Sequence, residues 1–217
     1  ANTPFMKEDV TNAIHKLQRG KANGIDLIAV EAVQSAPLWF TDHIFQTCFV
    51  NGELVHIPPE WCTAKTVFLY KNKGSKSDPT NYRPISLLTT FYKVISIVLN
   101  DRLRMIIKKT LTPTQVGFRE NTGVSEALFI LNNLTRKEHQ SKINILLCDM
   151  SKAFDRIPLD AIYDVLEKWG TPKHVVRAVQ IACSKNYMSC YAKGVLAAPI
   201  HLQRGVHQGS PLSPTLW

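Results

Sequence analysis

Apolar side chains recur along this chain with a helical period in some stretches and crowd into a short unbroken run in another, and the changes lay out its elements. From Lys7 to Arg19, Val10, Ile14 and Leu17 fall on one helical face and Gly20 supplies a stop, which predicts a helix. The segment GKANGID, Gly20 to Asp26, follows as a loop. Phe68 to Pro84 begins apolar, then turns polar, basic and rich in turn formers, as expected of a strand running into an exposed, flexible loop. The strongest helical pattern comes next, with Phe91, Val94, Ile95, Val98, Leu99, Leu103 and Ile106 on one stripe. A second helix is expected at about Ser125 to Lys137, on Leu128, Leu131 and Leu134.

INILLCD, Ile143 to Asp149, departs from this period. Its aliphatic residues do not alternate with polar ones, as expected of a strand covered on both faces. A helix should follow over Leu159 to Trp169, and another after Thr171 and Pro172, with the threonine as cap and the proline in the first helical position. YMSCYAKG and APIHLQRG, Tyr187–Gly194 and Ala198–Gly205, read as a strand pair. Strands set between helices, with a meander near the end, predict an α+β fold.

At 217 residues the chain can bury a substantial core. No apolar run approaches the roughly 20 residues of a membrane span, and ANTPFMKEDV lacks the layout of a signal peptide, so an intracellular protein without a membrane partner is expected. Five scattered cysteines show no zinc-site spacing, and their odd number argues against a disulfide framework. A net charge of +9 favours a polyanionic partner, nucleic acid before an anionic membrane.

Three stretches carry candidate chemistry. A carboxylate at the end of a buried strand is costly unless something positive compensates it, and magnesium, which accepts one or two carboxylates, makes Asp149 a candidate metal ligand. A turn-capping role for Asp149 fits the local pattern equally well. QRGVHQGSPLSPTLW, Gln203 to Trp217, packs Gly205, Gly209, Pro211 and Pro214 among polar residues, so a ligand could approach its backbone, with the Gln208 amide to donate and accept hydrogen bonds. As structure alone it is an irregular loop opening a helix at about Ser210, capped by Ser210 or Ser213. The loop with Lys71, Lys73, Lys76 and Arg83 could close over phosphates, or merely be a solvated basic loop.

Together these stretches resemble the reverse transcriptase domain of non-LTR (LINE-type) retrotransposons. NYRPISLLTTFYKVISIVLNDRL at Asn81–Leu103, TQVGFRENTGVSEAL at Thr114–Leu128, CDMSKAFDRI at Cys148–Ile157 and RGVHQGSPLSP at Arg204–Pro214 occur in that family's order. RGKANGIDLIAVE, Arg19–Glu31, is similar to the segment ahead of the fingers. The resemblance implies a right-hand polymerase architecture, with an N-terminal extension over 1–60, fingers over 61–140 and a partial palm over 141–217, its antiparallel sheet incomplete and packed on helices. It implies that Asp149 coordinates two magnesium ions, manganese being the alternative, with help from the main-chain carbonyl of Met150. Phe154 would lie under the incoming sugar and reject a 2′-hydroxyl. Arg83 would grip the triphosphate with Lys71 as companion, and Gln208 and Gly209 would line the nucleotide pocket. Asp155 is assigned a structural role.

The implied activity is RNA-directed DNA synthesis, with template RNA, primer DNA and deoxynucleoside triphosphates as partners. Its place would be the nucleus during action and the cytoplasm when bound to element RNA. The family's second catalytic motif carries two adjacent aspartates, and no such dipeptide occurs in these residues. The 217 residues alone are therefore expected to lack polymerase activity. The rival readings are a non-catalytic RNA-binding remnant and an unrelated α+β protein. A viral RNA-dependent RNA polymerase would have to admit ribonucleotides, and a bulky Phe154 argues against it.

Overall fold

The computed structural model describes residues 2–119, 121–137 and 144–217, and it is an α+β structure. Its centre is α4 (Thr90–Ile107), the helix with the longest apolar stripe. Val94, Ile95, Val98, Leu99 and Leu103 are buried, and so are Ser96 and Asn100 on adjoining faces, so other elements surround the helix. Thr89 opens it as N-cap, its hydroxyl accepting from Tyr92 N.

Three N-terminal helices pack on one side. They are α1 (Lys7–Lys16), shorter than the expected span to Arg19, α2 (Val30–Gln34) and α3 (Leu38–Cys48), which leads into a small hairpin of β1 (Phe49–Val50) and β2 (Glu53–Leu54). Arg102 of α4 reaches under this layer, donating to the carbonyls of Thr3 and Pro4 and pairing with Asp9 at 3.1 Å, its guanidinium 4.5 Å from the Phe5 ring centre. Gly24, in the GKANGID loop, lies so close to the start of α4 that a Cβ there would sit 2.6 Å from the Leu88 carbonyl oxygen.

The remaining strands form a mixed sheet. β3 (Thr63–Tyr70) pairs antiparallel with β4 (Tyr82–Leu87) and parallel with β5 (Tyr187–Ala192). β5 in turn pairs antiparallel with β6 (Val195–Leu196) and with β7 (Ile200–His201), which bears out the expected strand pair. β4 was hidden in the sequence because its polar and proline residues read as loop.

Between these come α5 (Val124–Lys137), α6 (Ala153–Arg156), α7 (Leu159–Lys168) and α8 (Lys173–Ser184), with α9 (Ser213–Leu216) near the end. Two capping expectations fail. Pro172, in extended conformation, is the N-cap of α8, so Thr171 lies outside the helix and its buried hydroxyl has no partner among the described residues. α9 starts at Ser213 rather than Ser210, with Leu212 as N-cap, while the Ser210 hydroxyl accepts from Leu212 N.

The larger correction concerns INILLCD. Ile143 lies outside the described residues. Residues 144–150 form no strand and are exposed, Leu146 at 86% and Leu147 at 88%. A strand needs a neighbour to take its N–H and C=O groups, and among the described residues no strand lies beside this one. The α5 stripe shows the same thing in milder form: the helix exists where expected, but Leu128, Leu131 and Leu134 are exposed.

Candidate active site

The glycine-rich turn is the best-fixed part of the candidate site. Gly205 and Gly209 have φ of +82° and +124°, which ordinary side chains rarely allow. The turn is held from two sides. Gly205 N donates to Ile157 O at 2.9 Å and Val206 N to Phe154 O at 2.8 Å, tying it to α6, while Ser86 N donates to Gln208 O at 2.8 Å, tying it to β4. Both glycines sit where a side chain would collide with backbone. A Cβ on Gly205 would lie 2.8 Å from the carbonyl oxygens of Phe154 and Asp155, and one on Gly209 would lie 2.7 Å from Ser86 O.

This clamp brings three of the sequence-predicted groups together: Gln208 and Gly209, the Phe154 segment, and the strand that bears Arg83. Within the β3–β4 ladder Thr66 faces Ser86 and Phe68 faces Pro84, so these four share one face of the hairpin. They line a cavity of about 300 Å³ with Gln208, His207, Asp155 and Arg204. Arg83 pairs with Leu69 on the alternate positions, so it points from the opposite face, exposed to solvent. A larger cavity of about 690 Å³, between the end of α4, α7 and Trp217, is lined by none of the predicted site residues.

The basic loop is exposed as expected, yet braced by bonds the sequence did not reveal. Lys71 N donates to Asn81 O and Lys71 Nζ to Thr80 O, both at 2.8 Å. Tyr82 Oη reaches Lys76 O at 2.8 Å, and Asn81 Nδ2 reaches Ser75 O at 2.9 Å. Asp78 accepts from both the hydroxyl and the backbone N–H of Thr80, which holds its carboxyl below the usual carboxylate range. Lys71 is therefore turned onto its own loop.

Phe154 is half-buried. Its ring stacks on Trp217 at 5.9 Å and 24°, and meets the edge of Phe118 at 6.1 Å and 87°. Asp149 and Met150 are exposed, and among the described residues Asp149 has no hydrogen bond or ion pair. Asp149 is not a helix cap, because the N-cap of α6 is Lys152, at φ +52°. Among the described residues no three His, Cys, Asp or Glu side chains gather as a metal cluster. One carboxylate suits a magnesium ion that also binds water and phosphate. It does not by itself hold a pair of ions.

Sequence reasoning passed over Ser86, His207, Phe118 and Trp217. Ser86 acts through its backbone, which residue type does not disclose, and the aromatic partners of Phe154 come from distant parts of the chain. For His207 the only signal was its place beside Gln208.

Several known proteins are similar to this chain over most of its length. The chain is 32% identical over 196 residues to the "Retrovirus-related Pol polyprotein from type-2 retrotransposable element R2DM" of Drosophila melanogaster, covering 89% of the chain and 18% of that protein. It is 27% identical to the "RNA-directed DNA polymerase from mobile element jockey" of the same fly, over 97% of the chain and 23% of the relative. It is 25% identical to the "Transposon TX1 uncharacterized 149 kDa protein" of Xenopus laevis, over 99% and 16%. The chain thus spans less than a quarter of each of these relatives. The family described as reverse transcriptase (RNA-dependent DNA polymerase) matches residues 71–217, more than half of the sequence, and the chain belongs to that family.

Proposed function

We propose that these residues are the N-terminal extension (1–60), fingers (61–140) and first part of the palm (141–217) of a non-LTR retrotransposon's RNA-directed DNA polymerase. Its partners are template RNA, primer DNA and deoxynucleoside triphosphates, and it acts in the nucleus and travels with element RNA in the cytoplasm. No helix among the described residues is long and apolar enough to cross a membrane. The observation that carries this reading is the clamp in which Gly205–Gly209 joins α6 to β4.

The reaction joins a primer 3′-hydroxyl to the α-phosphate of a nucleotide with loss of pyrophosphate. Reverse transcriptases as a family use divalent metal ions, which supply charge neutralisation at the phosphates. In this reading the ion is magnesium, with manganese as alternative, and Asp149 and the Met150 carbonyl hold it. A two-ion site needs carboxylates beyond those described. The chain's own residues do the remaining work. Arg83, without a partner among the described residues, reaches from its outer face round β4, the end strand of the sheet, to bind the triphosphate, and Lys71 joins it by exchanging the Thr80 carbonyl for a phosphate oxygen. Gln208 and Gly209 support the nucleotide opposite its template base. Phe154, held by Phe118 and Trp217, blocks a 2′-hydroxyl.

Primer extension on an RNA template by the polymerase that contains this chain tests the reading. Arg83→Ala and Gln208→Ala should each raise the KM for deoxynucleotides, and Phe154→Ala should admit ribonucleotides. Unchanged kinetics in all three variants would overturn it. A second reading, RNA binding without chemistry, is favoured by the +9 charge. It requires salt-sensitive RNA binding that Asp149→Ala leaves unchanged, and no incorporation by the parent protein.

A further inference from the structure

Phe118 holds a backbone conformation that its own side chain disfavours. Its φ is +58°, in the left-handed region, and it is the one aromatic residue found there among the described residues. A Cβ is crowded in that region, so bulky residues seldom adopt it. Gly117, its neighbour, could take such a φ without steric cost and does not. Core burial gives no reason for the arrangement either, because Phe118 is 54% exposed. Backbone strain of this kind persists where the surroundings enforce it, and it gathers at functional positions.

The surroundings are a loop braced on itself. The Thr122 hydroxyl lies 3.0 Å from Val116 O and 3.3 Å from Arg119 O, so it brackets Phe118, and Arg119 Nη1 donates to Thr112 O at 3.3 Å. The loop sets the Phe118 ring at 87° to that of Phe154, with 6.1 Å between centres, while Trp217 stacks on Phe154 at 24°. A parallel neighbour and a perpendicular one resist different rotations of the same ring, so together they fix its tilt. The main chain of Phe154 is held separately, through its carbonyl, by Val206 N.

We propose that Phe118 is a positioning residue for sugar selection: the loop from Thr112 to Thr122 carries its ring against Phe154 and keeps Phe154 from swinging aside for a 2′-hydroxyl. Discrimination against ribonucleotides then depends on how this loop is folded, although the loop lies outside both α6 and the glycine turn. Phe118 acts through Phe154 without touching substrate. The kinetic part of this inference rests on the reading of Phe154 as the residue that blocks a 2′-hydroxyl, and the spectroscopic part does not.

Resonance and kinetics test it separately. In the 217-residue chain carrying ring-13C phenylalanine, the signal that disappears in Phe118→Leu should move in Phe154→Leu, through loss of the neighbouring ring current. An unmoved signal overturns the contact, whatever the protein's activity. In the polymerase containing this chain, Phe118→Ala should lower the kcat/KM preference for deoxynucleotides over ribonucleotides about tenfold, by raising the ribonucleotide value, and Phe118→Tyr should keep most of the preference. Phe118→Gly, which relieves the backbone, should lose the preference equally yet unfold at a higher urea concentration than Phe118→Ala, a split that a merely structural residue would not show. Phe154→Ala serves as the control. Full discrimination in that variant overturns the reading of Phe154 and this inference with it, whereas discrimination lost in Phe154→Ala but kept in Phe118→Ala overturns the positioning role alone. A fall in RNA affinity with discrimination intact in Phe118→Ala would also overturn that role, in favour of stacking on a template base.

Discussion

The turn that carries Gln208 allows a quantitative test, because two glycines in the chain differ in one respect that matters. Gly194 has φ +82° with nothing within 4 Å of an added Cβ, whereas Gly209 has φ +124° and would place that Cβ 2.7 Å from Ser86 O. Alanine at Gly194 meets only the left-handed backbone penalty, about 1–2 kcal/mol, partly offset by about 0.4–1 kcal/mol from a less flexible unfolded chain. Alanine at Gly209 lies beyond the left-handed well near +50 to +70° and incurs about 1–3 kcal/mol of backbone strain. It must also push away Ser86, weakening the bond from Ser86 N to Gln208 O, worth about 1 kcal/mol. Gly209→Ala should therefore destabilise the chain by about 2–4 kcal/mol, and Gly194→Ala by about 1 kcal/mol or less. Urea unfolding at fixed slope reads both values directly, and amide exchange at Ser86 should quicken only in Gly209→Ala. Equal destabilisation by the two alanines, with Ser86 protection intact, would refute the claim that the turn is pressed against β4.

Arg102 is 4% exposed and serves two carbonyls, Asp9 and the Phe5 ring, so Arg102→Ala should cost about 2–3 kcal/mol in urea unfolding, less than a fully buried pair because Asp9 keeps solvent contact. Arg102→Lys should recover less than half of that loss, since an ammonium cannot serve this fan of acceptors. Burial pushes the His207 pKa down from 6.5 to about 4. Between those values the unfolded chain binds more protons than the folded one, so this contribution to stability is whole above pH 6.5 and is lost as the pH falls toward 4. The loss amounts to about 3 kcal/mol and should vanish from the pH dependence of urea unfolding in His207→Phe; identical profiles would exclude a buried neutral ring. Asp149→Asn in the parent polymerase should reduce incorporation by at least about a thousandfold without altering RNA affinity, measured by primer extension and filter binding at one salt concentration.

How far the sequence discloses the molecule depends on where an element finds its partner. The stripe of α4 named both the helix and its burial, because that stripe packs against α1 and α8 within the described residues. The same rule named α5 correctly and its burial wrongly. In INILLCD it named a covered strand where the described residues 144–150 belong to no strand and are exposed. Hydrophobic pattern reports what a segment prefers, and a strand's preference is satisfied only when a second strand supplies hydrogen bonds along its edge. The glycine spacing of RGVHQG was legible for the opposite reason: the need for positive φ is local, so Gly205 and Gly209 mark the turn by themselves. What they clamp was not local, for Ser86 and Phe154 enter through backbone atoms that every residue type carries. The candidate site therefore divides in two. The part proposed for the nucleotide, from Gln208 to β4, is held by bonds within the described residues, and the part proposed for the metal, at Asp149, is not. Asp149 can act as a rigid ligand only once residues 144–150 gain a strand neighbour. Protection of the Leu146 and Leu147 amides from exchange should thus be absent in the 217-residue chain and present in the active polymerase. Strong protection in the short chain would show that this strand forms without that neighbour, and the division drawn here would fall.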